Sequence, residues 1–421
     1  MTELEKMHWT LQKKYIPNGV QTFSKMPSRF VEGVYPLFIR RASGCTVEDL
    51  EGKVYTDFVC SLGAIILGHC DSFVDRRVKA QIDEGVLYSL PSTKEWTLAK
   101  RLKNAIPCAE KAKFFKTGSE AVAAAIRVAR AYTQREKVVA CGYHGWHDWY
   151  TVSTENDLGI PVGLKSLISK FEYNNIEQLE QLLSRNDVAA VIMEPVQFEE
   201  PEGYFLHQVS KLCEKYGTIL IFDEILTGIR VSVGGAQRFF GVTPQLAVFS
   251  KALGNGYPIA VLVGKSDVMD VYEQPGFFVS GTFNGDLIGI EAANAVLDRC
   301  NEDREDAVNV IKKIWASGEV LKEGFNTIAE SLGLDGVSCV GLPVRTKFVF
   351  PNQDARALFL QECAKRQVLF GPSNFIMLAH SQFVIRSILN IVSDSLTIVK
   401  DNLSNLSCKL EGTVPKEIVI R

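Results

Sequence analysis

Through the middle of the chain, short apolar runs alternate with segments whose apolar residues recur at helical spacing, and glycine-bearing turns separate the two. That alternation predicts βα units around a mainly parallel sheet, because a strand covered by helices on both faces has no polar face to present. The runs fall at 113–115, 137–141, 189–193, 218–222, 247–250 and 258–264. Residues 119–133 read as an alanine-rich helix with Ser119 as N-cap and arginines late, where the helix dipole favours them. In open α/β sheets the chemistry belongs at the carboxyl ends of the strands.

The flanks are patterned differently. Residues 37–41 and 53–59 are strand-like and separated by Asp49, Glu51 and Gly52, which predicts a small antiparallel unit outside the main sheet. Beyond 300, a charged helical stretch at 301–329, a strand at 345–349 and a helix at 353–366 predict a compact α+β piece. The expected division is an N-terminal arm with part of a small domain (1–60), a large domain holding the site (61–300) and a C-terminal small domain (301–421).

Composition narrows the partners. The 421 residues are 46% hydrophobic and 23% charged, enough for a sizeable core. Forty-six Lys and Arg against 49 Asp and Glu leave a formal charge of -3, without the basic excess that nucleic acid or an anionic membrane calls for. No apolar run approaches the ~18 residues of a membrane span, and the first ten residues lack an apolar leader core. A cytoplasmic protein with a small-molecule partner is expected. The ten cysteines are scattered without metal-ligand spacing, so reduced thiols and no metal are expected.

Three features fall at strand ends. Lys116, Thr117, Gly118, Ser119 and Glu120 join a strand to a helix, where backbone N–H groups can hold a phosphate or simply cap the helix. Asp223 and Glu224 place two carboxylates directly after an apolar strand, where burial demands a partner. A protonated pyridine nitrogen would serve, and so would a structural ion pair. Lys251 ends another apolar run before a glycine-rich turn, and a desolvated lysine favours the neutral amine that Schiff-base chemistry needs. Tyr143, again after a strand, could stack on a flat ring or pack in the core.

The order phosphate turn, aromatic, acid, lysine, together with the stretches 36–44, 49–69, 117–130, 142–148, 193–196, 222–230, 234–242, 249–258 and 281–285, resembles the class III pyridoxal-phosphate aminotransferases of fold type I, in the branch containing glutamate-1-semialdehyde 2,1-aminomutase. The resemblance implies an α/β fold with a mainly parallel central sheet, helices on both its faces, and a smaller α+β domain from the N- and C-terminal parts. It implies pyridoxal 5'-phosphate as cofactor, Lys251 as the lysine of its internal aldimine, Asp223 as the pyridinium partner, and Gly118 with Ser119 as the phosphate cradle. Tyr143 becomes the ring-stacking residue, and Gln197 the partner of the ring hydroxyl. Thr282 matches the position that reaches the neighbouring subunit's phosphate, which implies a homodimer with shared sites. Lys25, His144 and Glu194 are the substrate-side candidates.

The departures concern the substrate. Residues 18–27 read NGVQTFSKMP, with Lys25 where the aminomutase pattern has an arginine. Leu62 replaces the usual tryptophan, and Ile376 a commonly acidic residue. The expected reaction is amino transfer from a donor to a separate carbonyl acceptor. Intramolecular transfer of the aminomutase type, and cofactor binding without catalysis, are the alternatives.

Overall fold

The computed structural model describes residues 2–300 and 309–416. In chain order its strands are β1 (Ile39–Ser43), β2 (Thr46–Asp49) and β3 (Val54–Asp57), then β4 (Lys111–Phe115), β5 (Lys137–Cys141), β6 (Ile168–Lys170), β7 (Val188–Met193), β8 (Ile219–Asp223), β9 (Leu246–Phe249) and β10 (Ala260–Gly264), and finally β11 (Ser338–Leu342), β12 (Arg345–Val349), β13 (Val368–Leu369) and β14 (Asn374–Phe375). They belong to two compact units, one formed by Met1–Asp71 with Lys312–Ile418 and the other by Ser72–Ile311. Both boundaries lie about ten residues beyond the expected 60/61 and 300/301. The first moves because Ile66 and Leu67 accept backbone hydrogen bonds from Leu378 and Ala379, which ties this stretch to the small unit. The second falls just inside the helix Val310–Ser331. Residues 301–308 of the expected helical stretch lie outside the described residues.

The large unit is built on a seven-stranded sheet in the order β4-β10-β9-β8-β7-β5-β6. β10 runs antiparallel to both of its neighbours, and the pairs from β9 to β6 are parallel. Every residue of β7, β8, β9 and β10 is buried, as their uninterrupted apolar character requires. The helix Gly118–Thr133 buries Ala121, Val122, Ala125, Ile126, Val128 and Ala129 in the core cluster that these strands share. Its small residues let the helix approach the sheet closely, and each fully buried Val or Ile contributes about 1.5–3 kcal/mol. The N-cap is Thr117, not Ser119. Thr117 and Glu120 cap each other's backbone N–H groups in a capping box, which places Gly118 and Ser119 in the first helical turn.

The small unit holds two sheets, β1-β2-β3-β13 and β11-β12-β14. β1, β2 and β3 are antiparallel, and β13 joins β3 in parallel. The run TVED of β2 has no strand-like pattern in sequence because its buried carboxylates are satisfied individually. Glu48 pairs with Arg40 and Arg41, while Asp49 accepts from Glu51 N–H, Lys53 N–H and the Tyr55 hydroxyl.

Candidate active site

The carboxyl ends of β5, β7, β8 and β9 open on a cavity of about 290 Å³ whose lining includes Gly118, Ser119, Tyr143, Glu194, Asp223 and Lys251. On one side the helix Gly118–Thr133 begins, and the first-turn N–H groups of Gly118 and Ser119 have no carbonyl within the helix to meet. This corner is tight at two glycines, and at Gly145 the backbone itself calls for one. A Cβ on Gly118 would lie 2.5 Å from Ile225 Cδ1, and one on Gly145 would lie 2.3 Å from Ser119 Oγ, at a backbone φ of +90°.

Asp223 ends β8 and is 3% exposed. Its Oδ1 accepts from Ile225 N–H at 3.1 Å, and its Oδ2 lies 2.8 Å from His144 Nδ1. Glu224 is turned elsewhere. It accepts from the Thr227 hydroxyl, Ala236 N–H (2.8 Å) and Gln237 N–H (2.9 Å), so it anchors the start of the helix Gly235–Phe240. Burial pushes its carboxyl above the usual range, against the pull of those donors.

Lys251 follows β9 and Ser250, whose hydroxyl donates to the Ile259 carbonyl at 2.8 Å. Its φ is +47°, a left-handed conformation that costs a non-glycine residue about 1–2 kcal/mol. Tyr143 follows β5, half exposed, and its N–H donates to Glu194 Oε1 at 3.1 Å. The hydroxyl of buried Tyr150 donates to the Gly142 carbonyl at 2.7 Å, fixing the other side of the same loop. Burial, reinforced by the nearby Asp223 carboxylate, raises the Tyr143 phenol, which keeps it neutral.

Residues 30–373 match the family Aminotransferase class-III. The chain belongs to the class-III aminotransferase family. It is 35% identical to the 3-aminobutyryl-CoA aminotransferase of Cloacimonas acidaminovorans, over 93% of this chain and 96% of that one. It is 32% identical to the glutamate-1-semialdehyde 2,1-aminomutase of Sulfolobus acidocaldarius, over 92% and 98%. The solved structure of the FumI protein of Sphingopyxis, in its pyridoxal-phosphate internal-aldimine form, is similar at a TM-score of 0.87 and 25% identity, covering 95% of this chain and 97% of that one.

The cofactor of this class-III aminotransferase is pyridoxal phosphate, and the cavity's chemistry fits it. Unspent N–H groups at a helix start suit a phosphate, a buried carboxylate suits a protonated ring nitrogen, and a lysine lines the same wall. One expectation for the aminotransferase needs correction. His144 does not face the cavity as a substrate-side residue; it is 1% exposed, held between Asp223 and the Cys141 carbonyl. Gln197 lines a cavity of about 540 Å³ with Cys141, Gly142 and Tyr173, its Nε2 3.8 Å from Cys141 Sγ. The loop after β7 turns between the two spaces, so Glu194 takes the Lys251 side. Thr282 sits in an exposed turn and does not line the Lys251 cavity of its own chain. Lys25 belongs to a cavity of about 520 Å³ in the small unit, with Phe30, Glu32, Phe38, Asp57, Ser61 and His69. Sequence reasoning gave Gly145 no role beyond its place in the stretch 142–148, and it passed over Thr117 as the cap although its partner Glu120, three residues on, was readable. Among the described residues no group of three or more His, Cys, Asp and Glu could hold a metal ion.

Proposed function

We propose that this aminotransferase moves an amino group from a donor to a separate carbonyl acceptor, with Lys251 and Asp223 as its catalytic residues. The observation that carries the reading is that Lys251, Asp223, Gly118, Ser119 and Tyr143 line one cavity. Bound pyridoxal phosphate supplies an electron sink for the bonds around the donor's α-carbon. Gly118 and Ser119 N–H groups would hold its phosphate, Tyr143 would cover a ring face, and Asp223 would keep the ring nitrogen protonated. Lys251 Nζ binds the cofactor and, as an amine, moves a proton at the donor's α-carbon. Glu194 fixes the Tyr143 loop, and Lys25 is the candidate anchor for a substrate anion. Transfer between two molecules is supported by the relative named an aminotransferase and by buried, apolar Ile376.

Assembly as a homodimer with shared sites is supported by large apolar side chains left in solvent on the large unit. Leu90 is 78% and Phe283 62% exposed, and Phe283 is the neighbour of Thr282, whose hydroxyl would complete the partner's phosphate site. The ten cysteines, none of them in a disulfide, suit a reducing compartment such as the cytoplasm.

The test is a two-stage titration of purified protein loaded with cofactor. Amino donors should shift the visible absorption band, and carbonyl acceptors should restore it. A protein that no donor shifts defeats the reading, and an amino aldehyde converted to its isomer without release of a keto acid replaces it with intramolecular transfer. Mixing Thr282→Ala with Lys251→Ala protein tests the shared sites. In each heterodimer one site carries both lesions and the other neither, so partial activity should return, and none after verified exchange removes Thr282 from the partner's site.

A further inference from the structure

Both nitrogens of the buried His144 ring face acceptors. Nε2 lies 3.1 Å from the Cys141 carbonyl oxygen and Nδ1 lies 2.8 Å from Asp223 Oδ2. A peptide carbonyl can only accept, so the first contact requires a proton on Nε2. A neutral ring would then turn a bare lone pair on Nδ1 toward a carboxylate oxygen, so the second contact needs a proton too. It belongs to either Nδ1 or the carboxyl. The backbone decides: Ile225 N–H donates to Asp223 Oδ1 at 3.1 Å, which favours the ionised carboxylate. The ring is buried between two aromatic neighbours. Trp149 lies nearly parallel to it at 6.5 Å and 18°, and Tyr150 is T-shaped to it at 5.4 Å and 76°.

We infer that His144 carries a proton on each ring nitrogen and forms with Asp223 a buried, net-neutral ion pair behind the cofactor cavity. A carboxylate has about four lone-pair directions, and Ile225 N–H and His144 occupy two. Two remain and Asp223 lines the cavity, so it can still receive a ring N–H while its orientation is fixed from behind. Its negative charge is matched before any cofactor binds, which spares the protein an uncompensated buried carboxylate in the empty site. His144 is thus a positioning residue that acts through Asp223. This consequence rests on the role proposed for Asp223, whereas the proton count rests on geometry alone.

The other titratable groups packed around the ring leave the count intact. Burial raises the phenols of both Tyr143 and Tyr150, so neither carries charge near neutral pH, and Cys141 meets the ring with its carbonyl.

Nitrogen-15 labelling of histidine and proton–nitrogen correlation spectra of the cofactor-free protein test the inference. The chain has six histidines, so His144 is assigned as the signal lost in His144→Asn. Should that variant not fold, replacing the other five one at a time gives the same assignment. The expected result at neutral pH is one imidazole with two ring protons, both slow to exchange. In Asp223→Asn the Nδ1 proton should disappear while the Nε2 proton stays. A bare His144 nitrogen at neutral pH in the wild type, or two ring protons retained in Asp223→Asn, overturns the pair. Either result leaves amino transfer standing, and an enzyme without amino transfer would leave the spectra unchanged.

Discussion

Around Lys251 the polar groups are held in place by neighbours, whereas around Lys25 the cation stands alone; left-handed backbone occurs in both places, at Lys251 and at Cys60–Leu62. Asp223 meets Ile225 N–H and His144, Glu194 receives Tyr143 N–H, and Thr117 and Glu120 cap one another. Lys25 ends a short exposed turn, Phe23–Lys25, and its amine has no hydrogen-bond or ion-pair partner among the described residues. In the same cavity's wall, Ser61 belongs to the turn Cys60–Gly63, where Cys60, Ser61 and Leu62 all have φ between 49° and 60°. Asp57 holds this turn by accepting from Val59 and Cys60 N–H, and it also pairs with His69 at 3.1 Å. Groups that meet an invariant cofactor gain from a rigid frame fixed by strand ends. A pocket that selects among substrates can be carried on loops, where one residue changes without disturbing a sheet.

The contrast gives four expected outcomes. Lys251→Ala should lower turnover by about 10⁴-fold or more, since it removes both the nucleophile and the proton carrier, with little change in melting temperature. Steady-state rates and thermal denaturation check this together, and turnover within tenfold of wild type would deny Lys251 both duties. Asp223→Asn should cost about 10²–10³ in kcat, comparable to the loss of one pre-set electrostatic partner at a reacting centre. Cofactor should remain bound, as equilibrium dialysis would show.

On the other side, Lys25→Ala should leave stability within about 0.5 kcal/mol, because the amine is exposed and unpaired. It should raise KM for one substrate by about tenfold at unchanged kcat, the mark of lost ground-state binding. Unchanged kinetics with every substrate would make it a solvated surface lysine. The smallest effect is a gain: Ser61→Gly should stabilise the protein by about 1 kcal/mol by relieving a left-handed serine. Denaturant unfolding measures it, and a loss of stability would show that the turn is not strained.

What the sequence disclosed follows the same divide. Strands β5, β7, β8 and β9 were readable to within a residue or two because burial on both faces leaves an uninterrupted apolar run, and the residues ending them were readable as the site. β2 was hidden, since its pattern is polar and its burial depends on arginines and backbone donors elsewhere. β6 was missed because three residues make no periodicity. The place of His144 could not be read from spacing, for it depends on β5 and β8 lying two strands apart with Asp223 at a matching height. Gln197 was placed by resemblance alone: three residues beyond Glu194, it lines a neighbouring cavity. The left-handed turn at Cys60–Gly63 had only its last residue to betray it, because cysteine, serine and leucine do not announce positive φ.

The small unit draws on two stretches of chain separated by the whole of the large one, and this bears on the order of events during synthesis. Residues 72–311 can leave the ribosome as a nearly complete unit while strands β1 to β3 still lack β13, which closes their sheet beside β3. About a hundred further residues must be made before the small unit is whole. At about 5–20 residues per second that interval is roughly 5–20 s, long compared with the folding of most domains. During it the edge of β3 is unpaired, and Val54 at its start is an exposed apolar residue even in the finished fold. Slowed translation through residues 312–369 should therefore increase aggregation of the nascent chain more than the same delay placed after residue 375, when β13 and β14 have both been made.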